Sequence, residues 1–392
     1  MIKDPSNQSK RLKILFFPAW YPSTENPVHG IYVKEHAKAV SLFNDVIVVY
    51  NQSAINHDGD LIHFASDGME DGIRTIRTRH KKRYPRAIRQ IIDTWKLFGV
   101  MRQLVQTGWI PDIIHAHVFL SGIPAIIVGR WYQIPVIMTE HWGAFVLNTL
   151  KRINIWEARF VMNRAKIILP VSNDLKKAIK SFGIHNQFEV VPNTVKTDVS
   201  CDLLTNQNPG KYKRMLSVAL LKPVKGVDYL IQALSKLKNM RQDFRLDIVG
   251  DGPKKLEYQA LAKRLGLGDI IKFHGLKNKS EVVKYMGDCD FYVQAGLSET
   301  FGVTFIEAMA CGKPIVATDL PALREKIDDS RGVLVPPKNV DALANALDVM
   351  LDHYQDYSAK EIARYVQNNF SYETVGLKLT HLYHEMLGRS YA

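Results

Sequence analysis

Cysteine is scarce. The three cysteines, Cys201, Cys289 and Cys311, form no paired framework, and no zinc-type Cys/His spacing accompanies them. A disulfide-built secreted scaffold is therefore excluded, and a reducing compartment fits best. Long apolar runs are also missing: no stretch approaches the roughly 18 residues of a membrane span. The segment "SKRLKILFFPAWYP" places positive charges ahead of apolar residues, as a signal peptide does. Its apolar core is short and broken by Pro18. It reads as a first buried strand preceded by a loose tail, residues 1–10. No nucleic-acid recognition motif is present. The location expected is the cytoplasm, with peripheral attachment at the inner face of the membrane.

What is present looks globular. Hydrophobic residues make up 46% and charged residues 23% of 392, too many residues for one ordinary core. The net charge is +13 and is unevenly placed. Residues 1–198 hold 26 Lys and Arg against 16 Asp and Glu, and the remainder 26 against 23. Much of the excess lies in "IRTIRTRHKKRYPRAIRQ", residues 73–90. Such a block suits an anionic membrane surface, a phosphate-bearing substrate or nucleic acid, or simply a solvated face; without a nucleic-acid motif, membrane or lipid-phosphate contact is the preferred functional version.

Continuous apolar strands alternate with helical patterns twice along the chain, which means parallel sheets covered on both sides. In the first half, strands are expected at "LKILFFPA", "DVIVVYN", "GIRTIRTR", "DIIHAH", "PVIMTEH", "KIILPVS" and "FEVVPN". Polar residues accumulate at 199–212, the best linker. A second alternation then runs over 213–371. A last helix, 372–390, closes the chain and is free to pack back on the first domain, 11–198. The economical architecture is α/β, with two Rossmann-like doubly wound parallel-sheet domains facing a cleft. Ligands in such sheets sit beyond the carboxyl ends of the strands.

The stretch "GLSETFGVTFIEAMACGKP" carries two carboxylates, Glu299 and Glu307. Helical spacing puts Glu307 beside Val303, Ile306 and Ala310, on what reads as the apolar face. A buried carboxylate is costly without a partner, so Glu307 has either a structural partner or a ligand. Phe301, Gly302 and Val303 present backbone N–H groups where the helix starts, and Glu307 could then hold vicinal hydroxyls. Lys225 and Gly226 precede another helix start, a natural anion site. "IVGDGP" sets Gly250 between a strand and a helix, as a phosphate loop or as a tight packing turn. The Asp-x-Asp pairs at 288–290 and 58–60 are not read as metal ligands: the former leads into a buried strand and the latter reads as a loop turn. Two glutamates also suit a retaining glycosidase, but the phosphate-binding features around Glu307 favour a ribose ligand.

The Glu-x7-Glu arrangement in "SETFGVTFIEAMACGKPIVATD" resembles the signature of the family 4 glycosyltransferases, which have the GT-B fold. "PAWYPSTENPVHGIYVKEHAKAV", "PDIIHAHVFLSG", "PVIMTEHWG", "AKIILPVSNDLKKAI", "VVPNTVKTD", "VKGVDYLIQAL" and "IVGDGP" support it, in order, over almost the whole chain. The resemblance implies retaining, metal-independent transfer of a sugar from a nucleotide donor, UDP first and GDP next, with no cofactor. It implies Glu307 on the ribose and Glu299 facing the donor sugar or its diphosphate neighbourhood. The Phe301–Val303 backbone would hold sugar hydroxyls and screen phosphates, Lys225 would face the diphosphate, and Gly30 would bring the first loop close. Gly250 belongs to the nucleotide side, the base would lie near Gly275 and Leu276, and His141 would stand beside the transferred sugar. One departure is plain: Leu220 stands where the family has a phosphate-binding Arg, and Lys222 is the nearest substitute. The acceptor expected is lipid-linked or a saccharide, at the inner membrane face, as in bacterial surface-polysaccharide assembly. A non-catalytic nucleotide-sugar-binding subunit and a GT-B sugar-nucleotide epimerase are the other readings.

Overall fold

The computed structural model describes residues 11–24, 26–54, 63–81, 84–197 and 211–389. The expected tail and most of the expected linker, with Asp58 and Asp60, lie outside them. The chain divides into two compact units: residues 1–194 with 372–392, and residues 195–371.

The first unit begins with strand β1 (Lys13–Pro18), helix α1 (Ile31–Ser41), then β2 (Asp45–Ala54), β3 (His63–Glu70) and β4 (Ile73–Lys81). Helix α2 (Arg86–Gln106) leads to β5 (Ile113–His117), α3 (Gly122–Tyr132), β6 (Val136–Glu140), α4 (Arg152–Met162), β7 (Ile167–Pro170) and α5 (Asn173–Ser181). The sheet order is β3-β4-β2-β1-β5-β6-β7, parallel throughout except for β3 against β4. The central strands are buried on both faces, as their unbroken apolar sequences require: KILFFP, IIHAH and VIMTE show almost no exposed residue.

Right-handed crossovers decide which face each helix takes. The step from β1 to β2 runs one way across the sheet and puts α1 on one side. The steps from β4 to β5, β5 to β6 and β6 to β7 run the other way and put α2, α3 and α4 together on the opposite side.

The second unit runs β8 (Lys213–Val218), α6 (Val227–Lys238), β9 (Phe244–Val249), α7 (Lys255–Arg264), β10 (Ile271–Phe273), α8 (Lys279–Asp288) and β11 (Phe291–Gln294). It continues with α9 (Val303–Ala310), β12 (Ile315–Thr318), α10 (Pro321–Arg324), β13 (Gly332–Val335), α11 (Val340–His353) and α12 (Ala359–Phe370). Its sheet, β10-β9-β8-β11-β12-β13, is parallel throughout. Leu246, Phe291, Val293 and Val316 of the strands pack with Leu230, Leu234 and Leu347 of the helices in one core. A final helix, α13 (Tyr372–Met386), belongs to the first unit. Val375, Leu379 and Tyr383 enter that unit's core beside Val33 and Val40 of α1, and Thr380 accepts a 2.7 Å hydrogen bond from Asn44.

The structure departs from the sequence expectation in places. "FEVVPN" makes only an isolated bridge, Ile168 to Phe188. The first unit ends at Thr194, a little before residue 198, because Val195 donates its N–H to Phe370 at the end of α12. Strand β3 and helices α4, α10, α11 and α12 form where the sequence pattern announces no element.

Candidate functional site

In the second unit, the expected donor residues lie at the carboxyl ends of β8, β9, β10 and β11. The loop after β11 holds Glu299, and the 3-10 turn Pro223–Lys225 ahead of α6 holds Lys225. Lys225 Nζ lies 2.7 Å from Glu299 Oε2. Burial pushes the Glu299 carboxyl up. The Lys225 ammonium and the N–H groups of Thr300 and Phe301 outweigh that and hold it below the usual glutamate value.

Gly302 is the N-cap of α9 in the left-handed conformation, φ 88°. A Cβ there would lie 2.8 Å from a Leu323 methyl and 2.9 Å from the Phe305 ring. Glycine thus permits both the turn and the packing. The first turn of a helix leaves N–H groups without intrahelical partners, and at α9 they open beside the Lys225–Glu299 pair. The Phe301 side chain is buried, 5.7 Å from the Phe370 ring and under Lys326. Only its backbone can serve a ligand.

Glu307 is placed differently from the sequence expectation. The buried residues of α9 are Phe305, Ile306, Ala308 and Met309. Glu307 shares a half-exposed stripe with Val303 and Ala310, its side chain 20% exposed and 3.8 Å from Lys279. It is thus no intruder in the core; it lines the side of the helix that remains open.

Gly250 ends β9 and packs on the neighbouring loop. A Cβ there would meet the Ala219 carbonyl at 1.9 Å, and its N–H donates to Gly275 at 2.8 Å. The tight-packing reading of Gly250 is thereby observed, and it joins the loop after β8 to the loop carrying Gly275 and half-exposed Leu276. Leu220 is 42% exposed. Lys222 beside it is exposed and has no ion pair among the described residues. Asp290 accepts the Arg214 N–H at 2.6 Å, which ties the start of β11 to β8.

In the first unit, Gly30 is the left-handed N-cap of α1, φ 74°, against the Trp20 carbonyl. His141 follows β6 and is buried, with its Nε2 3.1 Å from His117 Nδ1. Its ring lies 4.3 Å from Tyr32 and 5.5 Å from His36. One nitrogen on each of His36, His117 and His141 lies within 4.8 Å of the others. Burial first, and then the neighbouring imidazoles, hold His141 and His117 well below the usual histidine value. Both are neutral near pH 7, suited to exchanging hydrogen bonds with a hydroxyl rather than pairing with a phosphate.

Glu140 was not singled out by sequence, yet it sets this corner. Its carboxylate accepts N–H bonds from His141 at 2.9 Å, Trp142 at 2.8 Å and Phe119 at 3.0 Å. A cavity of about 500 Å³ opens at the carboxyl ends of β1, β2 and β5, among Trp20, Asn51, Arg89, Gln90, Asp93 and Trp142. Burial pushes Asp93 up to about 6, despite Lys96 and Arg89 nearby. A buried acid over a polar cavity leaves no local sequence pattern, so none of these residues was legible beforehand.

Two parallel-sheet units of this topology, with a glycine-capped helix and a Lys–Glu pair at the strand ends, define a GT-B glycosyltransferase. The family model for glycosyltransferase family 4 matches residues 37–199, and that for glycosyl transferases group 1 matches residues 205–369. An uncharacterized glycosyltransferase of Methanocaldococcus jannaschii is 30% identical over 76% of this chain and 83% of its own length. A D-inositol 3-phosphate glycosyltransferase of Arthrobacter is 26% identical over 62% of each chain. Anabaena HepE, solved in complex with UDP and glucose, superposes with a TM-score of 0.74 at 20% identity, over 96% of this chain and all of that one. The chain belongs to the group 1 and family 4 glycosyltransferases.

Proposed function

We propose that this glycosyltransferase moves a sugar, with retention, from a nucleotide-sugar donor to a lipid-linked or saccharide acceptor in surface-polysaccharide assembly. The observation that carries the donor half is the 2.7 Å Lys225–Glu299 pair beside the open N-terminus of α9. A departing diphosphate gains negative charge, and a fixed ammonium and helix N–H groups aimed at it stabilise that charge before the bond breaks. In this reading Lys225 turns to the diphosphate, with Lys222 in reserve where Leu220 replaces arginine. Glu299 takes a hydroxyl of the donor sugar, and the Phe301–Val303 backbone holds the rest. Glu307, on the open stripe of α9, binds the ribose, and the base lies over Leu276. Gly30 lets the first loop approach the diphosphate, and neutral His141 stands beside the transferred sugar. No metal or cofactor is assigned a role.

UDP is the first choice of nucleotide, supported by the UDP complexes of HepE, and GDP is next. The acceptor half is supported by the cavity in the first unit, and an anionic acceptor by the name of the inositol 3-phosphate relative.

Calorimetric titration with UDP, GDP, ADP and CMP tests the donor half. One diphosphate should bind saturably to the wild type and lose about tenfold or more in affinity with Glu307→Ala, the cost of one charged hydrogen bond. No binding to well-folded protein would overturn the reading. Donor conversion without any acceptor would point to the epimerase instead.

A further inference from the structure

Helices α2, α3 and α4 lie side by side on one face of the first sheet, and each is apolar on the side away from that sheet. On α2, Ile88, Ile91 and Trp95 are 44%, 58% and 71% exposed. Trp131 on α3 is 74% exposed, next to half-exposed Ile127. On α4, Ile153 and Trp156 are 58% and 59% exposed. Of the six tryptophans in the chain, the three that are exposed all lie here. Trp131 packs edge-on against Phe98 at 5.8 Å, and Trp156 stacks on Phe160 at 5.5 Å. The rings are braced rather than loose.

The charges between them have one sign. Arg102, Arg130, Arg152 and Arg159 are exposed on the three helices. Their only acids are Asp93, turned to the cavity, and Glu157, buried and paired with Arg86. By contrast the basic block at 73–90 is partly spent: Arg74 pairs with Asp67, Arg77 with Glu70, and Arg86 with Glu157.

We propose that the α2–α3–α4 face is a docking surface for an anionic phospholipid bilayer. Tryptophan and isoleucine would enter the headgroup boundary and the arginines would meet lipid phosphates. Charge selects this occupant. A second copy of the chain would bring arginine against arginine, since a two-fold contact repeats one patch on both sides. The surface also has a use. Helix α2 turns Arg89, Gln90 and Asp93 into the cavity and Ile88, Ile91 and Trp95 outward. An acceptor headgroup at the bilayer would meet the cavity along that one helix. The docking itself is independent of the transfer reaction.

The test is co-sedimentation of the full chain with vesicles of phosphatidylcholine, alone or mixed with anionic phosphatidylglycerol. Quenching of tryptophan emission by brominated lipid runs in parallel. Wild type should pellet with the anionic vesicles, release as salt rises, and be quenched. Trp95→Ser/Trp131→Ser/Trp156→Ser should bind about tenfold or more weakly. Arg102→Gln/Arg130→Gln/Arg152→Gln should lose about fivefold per charge. All six sites are exposed, and circular dichroism with nucleotide titration checks that the variants fold and that the donor side is intact. Three results would overturn the proposal. They are wild type left in the supernatant, a tryptophan variant that binds like wild type, and self-association in ultracentrifugation that the tryptophan variant abolishes. None of them bears on nucleotide binding.

Discussion

Lys225 and Glu299, 74 residues apart in sequence, meet through a 2.7 Å charged hydrogen bond that joins the turn before α6 to the loop before α9. Both side chains are partly exposed, at 26% and 16%, so the pair itself stabilises the fold by only about 1 kcal/mol. In the proposed function its value lies in the ligand. Lys225→Met should leave the melting temperature nearly unchanged and weaken nucleoside-diphosphate binding about 10–100-fold, as expected for one lost charged hydrogen bond. Calorimetry and thermal melting on the same samples separate the two effects. A variant that melts much earlier but binds normally would make the pair structural.

Gly302 gives an independent handle on the same site. Alanine there must adopt φ near 88° and place its Cβ 2.8 Å from a Leu323 methyl. The strain should cost about 1–3 kcal/mol. The N-terminus of α9 shifts as the packing gives way, so binding should fall more than a stability loss explains. The check is a denaturant midpoint measured beside nucleotide affinity.

Much of this was legible in sequence because parallel strands buried on both faces read as unbroken apolar runs. The elements that escaped have physical reasons. Strand β3, "HFASDGME", is an edge strand with exposed residues along its second half and no apolar run. Helix α4 hides its character because Ile153 and Trp156 face outward while Glu157 is buried. In α9 the helix is apolar nearly all round, so period alone could not tell the core stripe through Phe305 and Met309 from the open one through Glu307. The candidate donor residues Glu299, Phe301, Gly302, Val303 and Glu307 stand out in sequence because they share one short stretch. The cavity of the first unit is assembled from five separated segments, and no local spacing announces it.

Glu140 should prove a positioning residue for His141. Its two oxygens accept three backbone N–H bonds at 2.8–3.0 Å in a fully buried corner. Glu140→Gln replaces one acceptor with an NH2 group that faces an N–H donor, leaving a buried clash of donors worth about 1–3 kcal/mol. The expected result is a lower denaturant midpoint with nucleotide binding retained. Glu140→Ala should cost more, since it orphans all three donors.

The buried histidines should make the first unit sensitive to acid. His36, held at about 4 by burial, and His115, His117 and His141, held well below the ordinary value first by burial, bind protons only once unfolded as pH falls past about 6.5. Their contribution is full above that pH and is lost below it. Three carboxyls oppose them. Burial raises Glu140 and Glu157 to about 7 and Asp93 to about 6, so each takes up a proton on folding and favours the folded state as pH falls through that range. These four imidazoles and the three carboxyls nearly cancel between pH 7 and 6, with His384, also lowered by burial, adding to the imidazole side. Below pH 6 the unfolded imidazoles approach full charge and win by about one to two protons, roughly 1–3 kcal/mol per pH unit. Thermal melting from pH 8 to 5 should therefore show a plateau followed by a fall. In Glu140→Gln one opposing proton is gone, so the fall should begin nearer pH 7 and steepen by about 1 kcal/mol per pH unit. A melting temperature that rises toward pH 5, and rises less in Glu140→Gln, would mean that the imidazoles are protonated in the folded chain, and that His141 is a cation.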